Sequence, residues 1–401
     1  MLEKLKQIST NEILSYKFYS STRELSDVDL SALSFNNNLF FRHDYLTVLE
    51  ENLSDEIKFN YIVFFYKETP VAFAVTQLIE FDSNQQKFQD IPCSISNSVK
   101  NKILKNLEFK LLICGNLFTC GEHGFIFNKE KITAKTAYES LAVALRELRK
   151  KDPSDKPSFI LLKEFWPDSV TDAKNVIKQK FREFEIDVNM VLPINSGWKN
   201  FDDYLQSMRT KFRTRAKSVL KKSAPLEICD FNFSEIIQYK SVIDTLYSSV
   251  IDNAQFKMGK LNAETFSSLK KILEEEFIFK AYFLEEQLVG FTTAFITEKT
   301  IEANHIGINY NFNKEYNIYQ RMLYNYVELA IKRNKNELHL GRTAEIIKST
   351  VGAKPVSMKL YARHGNSISN KLLKPLVELI SPSDFEIRNP FKTETASSWI
   401  H

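Results

Sequence analysis

Glycine, cysteine and proline are all scarce in this sequence of 401 residues, which contains 10 glycines, 4 cysteines and 11 prolines. Neither Gly-x-Gly-x-x-Gly nor a Walker-type phosphate loop occurs, which argues against dinucleotide redox chemistry and nucleotide hydrolysis. The cysteines form no Cys-x-x-Cys pair and have no histidine at metal-ligand spacing. We therefore expect reduced thiols, a cytoplasmic protein and no metal site.

Long apolar runs are also missing, since none approaches the ~18 residues that cross a membrane. The N-terminal stretch MLEKLKQISTNEILSYKF mixes Lys and Glu with its apolar residues and is unlike a signal peptide. We expect no transmembrane segment, while peripheral membrane contact stays open. The 54 basic and 50 acidic residues give a net charge of only +4, so a binding site for an anion has to be local.

The composition is that of a folded protein, with 43% hydrophobic and 26% charged residues. The length favours two domains. A weak internal repeat agrees with this number, because FFYKETPVAF (64–73) and YFLEEQLVGF (282–291) both resemble two strands joined by a polar turn. The two copies lie about half the chain apart, which predicts a duplicated domain. We place the first domain at residues 1–192 and the second at residues 193–401.

Both halves indicate a mixed α/β fold. In the second half, the strand candidates FTTAFITEK and TIEANHIGIN precede YNIYQRMLYNYVELAIKRN, whose apolar residues have helical spacing, and the strands ELHLG and VSMKLYAR follow. The first half is a weaker copy, with the hairpin, a polar insertion at 82–107, the strand FKLLICGNL, the helix TAYESLAVALRELRKK and the strand SFILLKEF. This order predicts α/β architecture with a mixed sheet in each half.

The stretch MRTKFRTRAKSVLKK (208–222) contains seven Lys or Arg and no carboxylate. We predict one helix that begins near Phe201 and turns an apolar stripe to the core: Phe201, Leu205, Met208, Phe212, Ala216 and Val219. Beside the stripe, Arg209, Arg213 and Lys217 form a row of positive charge. A solvated helix face and an anion-binding face both explain such a row.

Two kinds of anion could pair with this row: nucleic acid, and a small phosphate-bearing molecule or head group. No recognisable nucleic-acid module accompanies it, so we expect no sequence-specific DNA binding. A phosphate-bearing metabolite, cofactor or lipid head group suits the bidentate geometry of arginine.

Four segments together resemble the FemAB-like branch of the GNAT acyltransferase superfamily over residues 198–365: FDDYLQSMRTKFRTRAKSVLKK, FKAYFLEEQLVGFTTAF, YNIYQRMLYNYVELAIKRN and LHLGRTAEIIKSTVGAKP. The resemblance implies two GNAT-like domains in tandem and transfer of an acyl or aminoacyl group to an amine. Members of this bacterial branch that build peptidoglycan take amino acids from aminoacyl-tRNA, whereas related acetyltransferases use acyl-CoA.

The sequence departs from the GNAT pattern at one point. Ordinary GNAT domains carry Arg/Gln-x-x-Gly-x-Gly/Ala before the helix that follows the fourth strand, and INYNFNKEYNIYQ has no glycine there. The donor therefore stays open among acyl-CoA, an acyl-carrier protein and aminoacyl-tRNA. The resemblance further implies a small-molecule or lipid-like amine as acceptor and no tightly bound cofactor. A non-catalytic binding module that has kept the fold is the alternative from a different class.

Candidate catalytic residues lie in TIEANHIGIN and in the helix after it. Strand alternation places Glu302 and Asn304 on one face and His305 on the other. Because polar groups among apolar neighbours need partners, Glu302 or His305 is either a general base or a hydrogen-bonded structural residue. Tyr319 is a candidate to protonate the leaving group, and aromatic packing is its alternative role.

Candidate binding residues follow a strand end, where open α/β sheets bind their ligands. We predict that two groups form one anion pocket: Arg342, Thr343 and Lys348 in LGRTAEIIKSTVGAKP, and Arg209, Arg213 and Lys217 in the basic helix. Two unrelated solvated surfaces are the alternative. In the first half, CGNLFTCGEHGF predicts a turn at a cleft, with Glu122 and His123 in contact with the substrate.

Overall fold

The computed structural model describes residues 13–33, 38–82, 108–253, 259–371 and 385–392. These residues form two compact units, and each unit contains one sheet. The first unit takes the described residues within Met1–Asp187, Gln255–Lys260 and Ser357–Ser383, and the second unit takes those within Val188–Ala254, Leu261–Val356 and Asp384–His401. The polar insertion predicted at 82–107 lies outside the described residues except for Asp82.

The first sheet is mixed and its strands follow the order β1-β2-β3-β4-β6-β15-β7, with β5 paired to β3. Its strands are β1 (Ser15–Tyr19), β2 (Lys58–Tyr66), β3 (Thr69–Asp82), β4 (Glu108–Cys114), β5 (Phe125–Phe127), β6 (Phe159–Phe165), β7 (Arg182–Phe184) and β15 (Lys359–His364). The β4–β6 pair is parallel, whereas the other pairings in this sheet are antiparallel.

The helices of the first unit are α1 (Thr22–Leu25), α2 (His43–Leu53), α3 (Ala134–Lys151) and α4 (Pro167–Ala173). The longest helix, α3, lies in the connection between the two parallel strands β4 and β6. Thr133 caps it by accepting a hydrogen bond from the Thr136 backbone N–H. Its buried face, which includes Leu141 and Leu145, packs into the core of the first sheet.

The second sheet follows the order β14-β8-β13-β12-β11-β10-β9. Its strands are β8 (Val188–Pro193), β9 (Leu226–Asp230), β10 (Phe277–Leu284), β11 (Gln287–Ile296), β12 (Thr300–Ile308), β13 (Glu337–His339) and β14 (Lys354–Ser357). Here β12 and β13 pair in parallel. The predicted domain boundary, between residues 192 and 193, falls inside β8.

The helices of the second unit are α5 (Phe201–Ser207), α6 (Thr210–Lys222), α7 (Phe233–Gln238), α8 (Lys240–Asn253), α9 (Ala263–Leu273), α10 (Tyr310–Tyr316), α11 (Ile318–Lys332) and α12 (Glu345–Thr350). The predicted helical face of α11 is confirmed, since residues such as Met322, Leu323 and Val327 are buried in the core.

The prediction of one continuous basic helix is wrong, because α5 ends at Ser207 and α6 begins at Thr210. Between them Met208 is extended and forms a β-bridge with Phe391, and the Arg209 N–H donates to the Pro390 carbonyl. The segment 385–392 thus takes backbone hydrogen bonds that a continuous helix would use itself. The apolar stripe is confirmed, since all six of its residues pack in one core cluster.

The two sheets have the same order of strands once β4 and β5 are counted as one interrupted strand. Strand β3 then corresponds to β11, β4 with β5 to β12, β6 to β13, β15 to β8 and β7 to β14. In each sheet a helix connects the two parallel strands: α3 in the first and α11 in the second. The predicted duplication is therefore visible in the topology.

The repeated hairpins correspond residue by residue. Phe64 pairs with Ala72 in the first hairpin, and Tyr282 pairs with Gly290 in the second. The register shifts directly after each of these pairs, so both hairpins contain an irregularity at the same place. The sequence repeat thus marks equivalent structure.

Within the ranges that the structure describes, no helix combines the length and the hydrophobicity that a membrane span requires.

Candidate functional site

The two parallel strands of the second sheet separate at their C-terminal ends. Strand β12 pairs with β13 only over Thr300–Glu302, whose partners are Glu337–His339. Beyond that point the chain after β13 bonds to β8 instead, where the Leu340 N–H donates to the Met190 carbonyl. A Cβ added to Gly341 would meet only the Ala303 carbonyl, at 3.9 Å. We call this gap, bordered by residues 303–308 and 340–344, the β12–β13 opening.

A bulge in β12 changes the predicted arrangement of side chains around the opening. Glu302 pairs with Phe295 and Gly307 pairs with Phe291, so Glu302 and Gly307 share a face of the sheet. His305, two residues before Gly307, shares that face as well. The prediction that Glu302 and His305 lie on opposite faces is therefore wrong, because the bulge adds a residue between them.

Three charged side chains form what we call the Glu–His–Glu cluster at the start of the opening. His339 Nδ1 lies 3.0 Å from Glu302 Oε1, and His339 Nε2 lies 2.9 Å from Glu337 Oε2. The Thr300 hydroxyl donates to Glu302 Oε1 at 2.6 Å. The imidazole is thus held between two carboxylates on adjacent strands.

The cluster keeps His339 protonated at neutral pH. Burial by itself lowers the pKa of His339, but the charges and hydrogen bonds of Glu302 and Glu337 outweigh it and raise the pKa to about 9. The hydrogen bond from His339 in turn lowers the pKa of Glu337, against the opposing effect of burial. Two carboxylates and one imidazolium leave the cluster with a net charge of −1.

His305 is fixed within an aromatic environment. Its Nδ1 lies 2.8 Å from the Tyr247 hydroxyl, and its ring packs on Tyr247 and Phe266. The Thr293 hydroxyl accepts from the His305 backbone N–H and donates to the His305 carbonyl, which closes the bulge. Burial raises the pKa of Tyr247, so this phenol retains its proton.

Tyr319 lies in the first turn of α11, and its backbone N–H donates to Asn313 Oδ1. Its side chain packs between two core clusters of the second unit. Burial, followed by the charges of Tyr310 and Glu345, raises its pKa, so the phenol keeps its proton at neutral pH.

The loop after β13 is conformationally strained. Gly341, Thr343 and Ala344 have φ values of 73°, 64° and 53°. A β-branched residue such as Thr343 is a rare occupant of this left-handed region. Strained backbone of this kind often occurs at ligand sites, so the loop is a candidate on geometry as well as on sequence.

Lys348 stabilises the backbone of this loop through hydrogen bonds. Its side chain is buried, and its Nζ donates to the Gly341 carbonyl at 3.3 Å and to the Arg342 carbonyl at 2.5 Å. The sequence predicts that Lys348 binds an external anion. In the structure its ammonium instead has hydrogen-bond partners within the loop, and binding of an anion by Lys348 stays a prediction. Arg342 is half-buried and Thr343 is exposed.

The three cations of the basic helix differ in their surroundings. Arg209 is not in a helix: it precedes α6, and its Nε donates to the Phe391 carbonyl at 2.9 Å. Arg213 Nη1 reaches Gln206 Oε1 at 3.4 Å, and Lys217 is exposed. The segment 385–392 links this region to α12, because the Arg388 N–H donates to Ser349 Oγ. That both cation groups share one pocket stays a prediction.

The equivalent place in the first unit is closed. Strands β4 and β6 pair up to Cys114 and Leu162, and a Cβ on the next residue, Gly115, would lie 2.6 Å from Lys163 Cβ. The buried Lys163 ammonium donates to the carbonyls of Asn116 and Thr119 at 2.6 and 2.7 Å. These two hydrogen bonds hold the loop between β4 and β5 across the gap.

Glu164, next to Lys163, completes this closure. It is 1% exposed, its φ is 58°, and its Oε2 lies 3.5 Å from Lys163 Nζ. The same oxygen accepts from the Gly121 N–H at 3.0 Å. A buried ion pair in the first unit thus stands where the second unit has its opening.

The two candidates in the first unit make contacts within their own turn and its surroundings. Glu122 Oε1 accepts from the Trp166 backbone N–H at 2.6 Å, at the start of α4. Burial raises the pKa of Glu122, and hydrogen bonds from Ser169 and Trp166 partly offset this. His123 Nε2 lies 2.8 Å from the Cys120 carbonyl, and its ring packs on Phe40. Their predicted contact with substrate stays a prediction.

Sequence reasoning missed His339, Tyr247 and Lys163. A signal existed for His339, because the buried strand ELHLG carries Glu337 and His339 on one face, and such polar pairs require partners. Lys163 meets the same criterion, because it lies with Glu164 in the apolar strand FILLKEF, whereas the pattern around Tyr247 contains no comparable signal. In the described part of the chain, no group of three His, Cys, Asp or Glu side chains is suited to hold a metal ion.

The sequence matches no protein-family model and no curated protein. Solved structures are similar in fold. The crystal structure of FemX superposes with a TM-score of 0.52 and 12% identity, over 91% of this chain and 100% of the FemX chain. A tandem GNAT protein from the clavulanic acid biosynthesis pathway gives 0.53 and 8% identity, over 88% of this chain and 99% of its own. A conserved Bacteroides thetaiotaomicron protein of unknown function gives 0.50 and 9%, over 87% and 99%.

The chain therefore has a tandem GNAT-type fold of the FemAB-like kind. The predicted α/β class with two GNAT-like halves is confirmed.

Proposed function

We propose that the protein is an N-acyltransferase that transfers an acyl group from an activated donor to an amine at the β12–β13 opening. The Glu–His–Glu cluster carries this proposal, because it sets a net negative charge beside a gap between parallel strands. Open α/β sheets bind ligands at this kind of edge. The GNAT-type fold supports the same reaction class.

The cluster suits an amine acceptor. An amine arrives mostly as a cationic ammonium, and the net charge of −1 attracts it. Glu302 accepts a proton from the ammonium, which frees the nitrogen lone pair for attack on the donor carbonyl. His339 holds the Glu302 carboxylate in place through its Nδ1–H.

The leaving group is served by Tyr319. As the new C–N bond forms, the ester or thioester bond of the donor breaks, and the departing oxygen or sulfur takes a proton from the phenol. The attacking nitrogen then loses its second proton, which restores the phenol, and Glu302 releases the first proton to solvent. The raised pKa of Tyr319 ensures that the proton is present at neutral pH. His305 shares the sheet face of Glu302, and we assign it to orientation of the acceptor.

The second unit is the proposed catalytic one, because the equivalent gap in the first unit is filled. The Lys163 ammonium and the loop that it holds occupy that gap. The first unit therefore has no opening at this place in which the reaction could occur.

The donor is held differently from CoA in an ordinary GNAT domain. The segment after β12 forms the helix α10 and contains no glycine, so it lacks the residues that let a backbone approach a pyrophosphate closely. Arg342, Arg213 and Lys217 supply positive charge for an anionic donor. Acyl-CoA, an acyl-carrier protein and aminoacyl-tRNA are all anionic donors that such charges attract.

The test uses each donor class with a panel of primary amines. Purified protein is incubated with acetyl-CoA, with an acylated carrier protein or with a charged tRNA, and acylated amine is detected by mass spectrometry. Glu302→Gln should lower the rate about 100-fold or more, whereas Glu298→Gln, at the exposed turn before β12, should not change it. Full activity of Glu302→Gln would refute the assignment. Saturable donor binding without turnover in every arm would identify a binding module.

A further inference from the structure

Two arginines of α3 meet the end of β15 in the first unit. Arg146 and Arg149 are one turn apart, so they project from the same side of the helix. The Arg149 guanidinium packs on Gly365, directly after β15, because a Cβ at this glycine would overlap it. The Gly365 N–H donates to the Ser158 carbonyl at 2.8 Å, so the pairing of β15 with the chain before β6 continues to this glycine.

Arg363 brings a third guanidinium to the same place. It lies on β15 two residues before Gly365, and alternate residues of a strand share a face. Tyr361, on the same face, packs in one core cluster with Leu145 of α3, so this is the face that α3 covers. We call these three residues the arginine cluster: Arg146, Arg149 and Arg363.

The hydrogen bonds of the arginine cluster within the described part of the chain go to backbone carbonyls, and none goes to a carboxylate. The Arg146 Nε–H donates to the Ala142 carbonyl at 3.1 Å, and the Arg149 Nε–H donates to the Pro157 carbonyl at 2.6 Å. Arg363 Nε is buried and has no partner among the same residues. Carboxylates on adjacent segments have other partners: Glu147 bonds to Tyr16, Asp152 and Asp155 pair with Lys58, and Glu183 pairs with Lys359.

This arrangement is unfavourable for the free protein. The three side chains are half-buried, and burial lowers the pKa of Arg363, as do the charges of Arg146 and Arg149. Burial also lowers the pKa of Arg149. All three stay charged, since an arginine loses its proton only above about pH 12. Three cations are thus held together with part of their hydration removed, and the described carboxylates do not offset their charge.

A phosphate group would relieve both the repulsion and the loss of hydration. Its oxygens accept parallel N–H bonds from guanidinium groups, and its dianionic form offsets most of the three positive charges. A carboxylate has a single charge and two oxygens, so it would satisfy the cluster less completely. Nucleic-acid strands are bound along extended basic grooves with exposed aromatic rings, whereas this cluster is compact and half-buried.

We propose that the arginine cluster binds a phosphate group, either free or carried by a small molecule. The site lies beside the first residues of β6, where Arg363 pairs with Ile160, whereas the closed gap begins after Leu162. The proposal rests on the first unit alone and does not depend on the reaction proposed for the second. It gives the first unit a binding role that its closed gap does not provide.

Calorimetric titration at constant ionic strength tests the proposal with three probes: inorganic phosphate, glycerol 3-phosphate, and dihexanoyl phosphatidic acid below its micelle concentration. At least one should bind saturably to a single site, and sodium acetate should bind at least about tenfold more weakly than that probe. The probe with the highest affinity identifies the source of the phosphate group as the free ion, a soluble ester or a lipid head group.

Arg363→Gln should weaken the binding of that probe at least about tenfold, because it removes one of the three guanidinium groups. The melting temperature of the unliganded variant should not fall, since the change relieves repulsion between like charges. Lys150→Gln is the matched control, because it removes an exposed cation next to Arg149 on the same helix. It should change the affinity by less than about twofold, since an exposed charge is screened by solvent and salt.

Arg146→Gln covers the case in which Arg363→Gln fails to fold, because the Arg146 side chain bonds to a carbonyl of its own helix. Circular dichroism melting establishes that each variant is folded. The proposal is overturned if none of the three phosphate probes binds the wild-type protein saturably, or if the folded arginine variants bind as tightly as Lys150→Gln. Binding of acetate as tight as that of the phosphate probes would overturn the choice of ligand.

Discussion

Glu302 and His339 lie opposite each other on the parallel strands β12 and β13, with His339 Nδ1 3.0 Å from Glu302 Oε1. This pair is the last point at which the two strands are joined before they separate. It therefore links the architecture of the second sheet to the chemistry that we assign to its edge. Glu337, on the other side of the imidazole, makes the pair into a three-membered cluster.

The cluster predicts a pH-dependent stability. The pKa of His339 rises from an ordinary 6.5 to about 9 on folding, so the folded state binds the proton more tightly. The stabilisation is fully present below pH 6.5 and is lost as the pH rises through 9. A shift of this size corresponds to about 3 kcal/mol, most of which applies because the side chain is largely buried.

His339→Gln checks this by urea unfolding between about pH 6 and pH 10. The difference in unfolding free energy between wild type and variant should shrink as the pH increases over this range. A difference that stays constant would show that His339 does not titrate as described. His364→Gln, in the other unit, serves as the control.

Arg342 and Lys348 should respond differently to substitution. Arg342→Ala is expected to weaken the apparent affinity for an anionic donor while the melting temperature stays nearly unchanged, because its charge is assigned to the ligand. Lys348→Met should lower the unfolding free energy by about 1–3 kcal/mol, since two carbonyls lose their donor. Thermal melting and steady-state kinetics separate the two effects.

Lys332→Ala, which removes an exposed cation from the end of α11, is the control for charge alone. Arg213→Ala should resemble Arg342→Ala if the two side chains share a pocket. Unimpaired activity in both arginine variants would refute the shared anion pocket.

Thr343 should be replaceable by glycine with a gain in stability. Its φ of 64° costs a residue with a Cβ roughly 1–2 kcal/mol. Thr343→Gly removes this strain but adds chain entropy, so we expect a net gain of about 0.5–1 kcal/mol in unfolding free energy. The rate should fall if the strained loop positions the donor. Thr343→Ala keeps the backbone strain and removes the hydroxyl, so it separates the effect of the strain from that of the hydroxyl. An unchanged or lower stability of Thr343→Gly would contradict the argument.

The closed gap of the first unit predicts a stability defect without a catalytic one. Lys163→Met leaves the Glu164 carboxylate buried without its ammonium, which should cost about 3–5 kcal/mol. Adding Glu164→Gln should recover part of the loss, because the isolated charge is gone. The activity of the folded fraction should match wild type; a specific loss of turnover would assign chemistry to the first unit.

Much of the fold was predictable because it follows local patterns. The helix α11 and the hairpins have clear periodicity, and the repeat at 64–73 and 282–291 marks equivalent hairpins. The break between α5 and α6 was not predictable, since it depends on backbone bonds to Pro390 and Phe391 far along the chain. Long-range competition of this kind leaves no trace in the helical pattern.

The candidate site was predictable in its location more than in its geometry. Glu302 and His305 were recognised as polar residues in an apolar strand, but alternation cannot reveal a bulge, which placed them on the same face. The sequence marked Lys348 as a candidate anion-binding residue, and only its contacts with the Gly341 and Arg342 carbonyls show its role within the loop.

The membership of β15 in the first sheet has a consequence for biosynthesis. Lys359–His364 pairs with β6, so β6 would expose unpaired backbone groups on that side until this late segment leaves the ribosome. Until that segment is available, the nascent first unit carries an edge of unpaired backbone groups that can pair with strands of other chains. A fragment that stops before residue 357 lacks β15 altogether, so its β6 edge stays unpaired and we expect the fragment to aggregate.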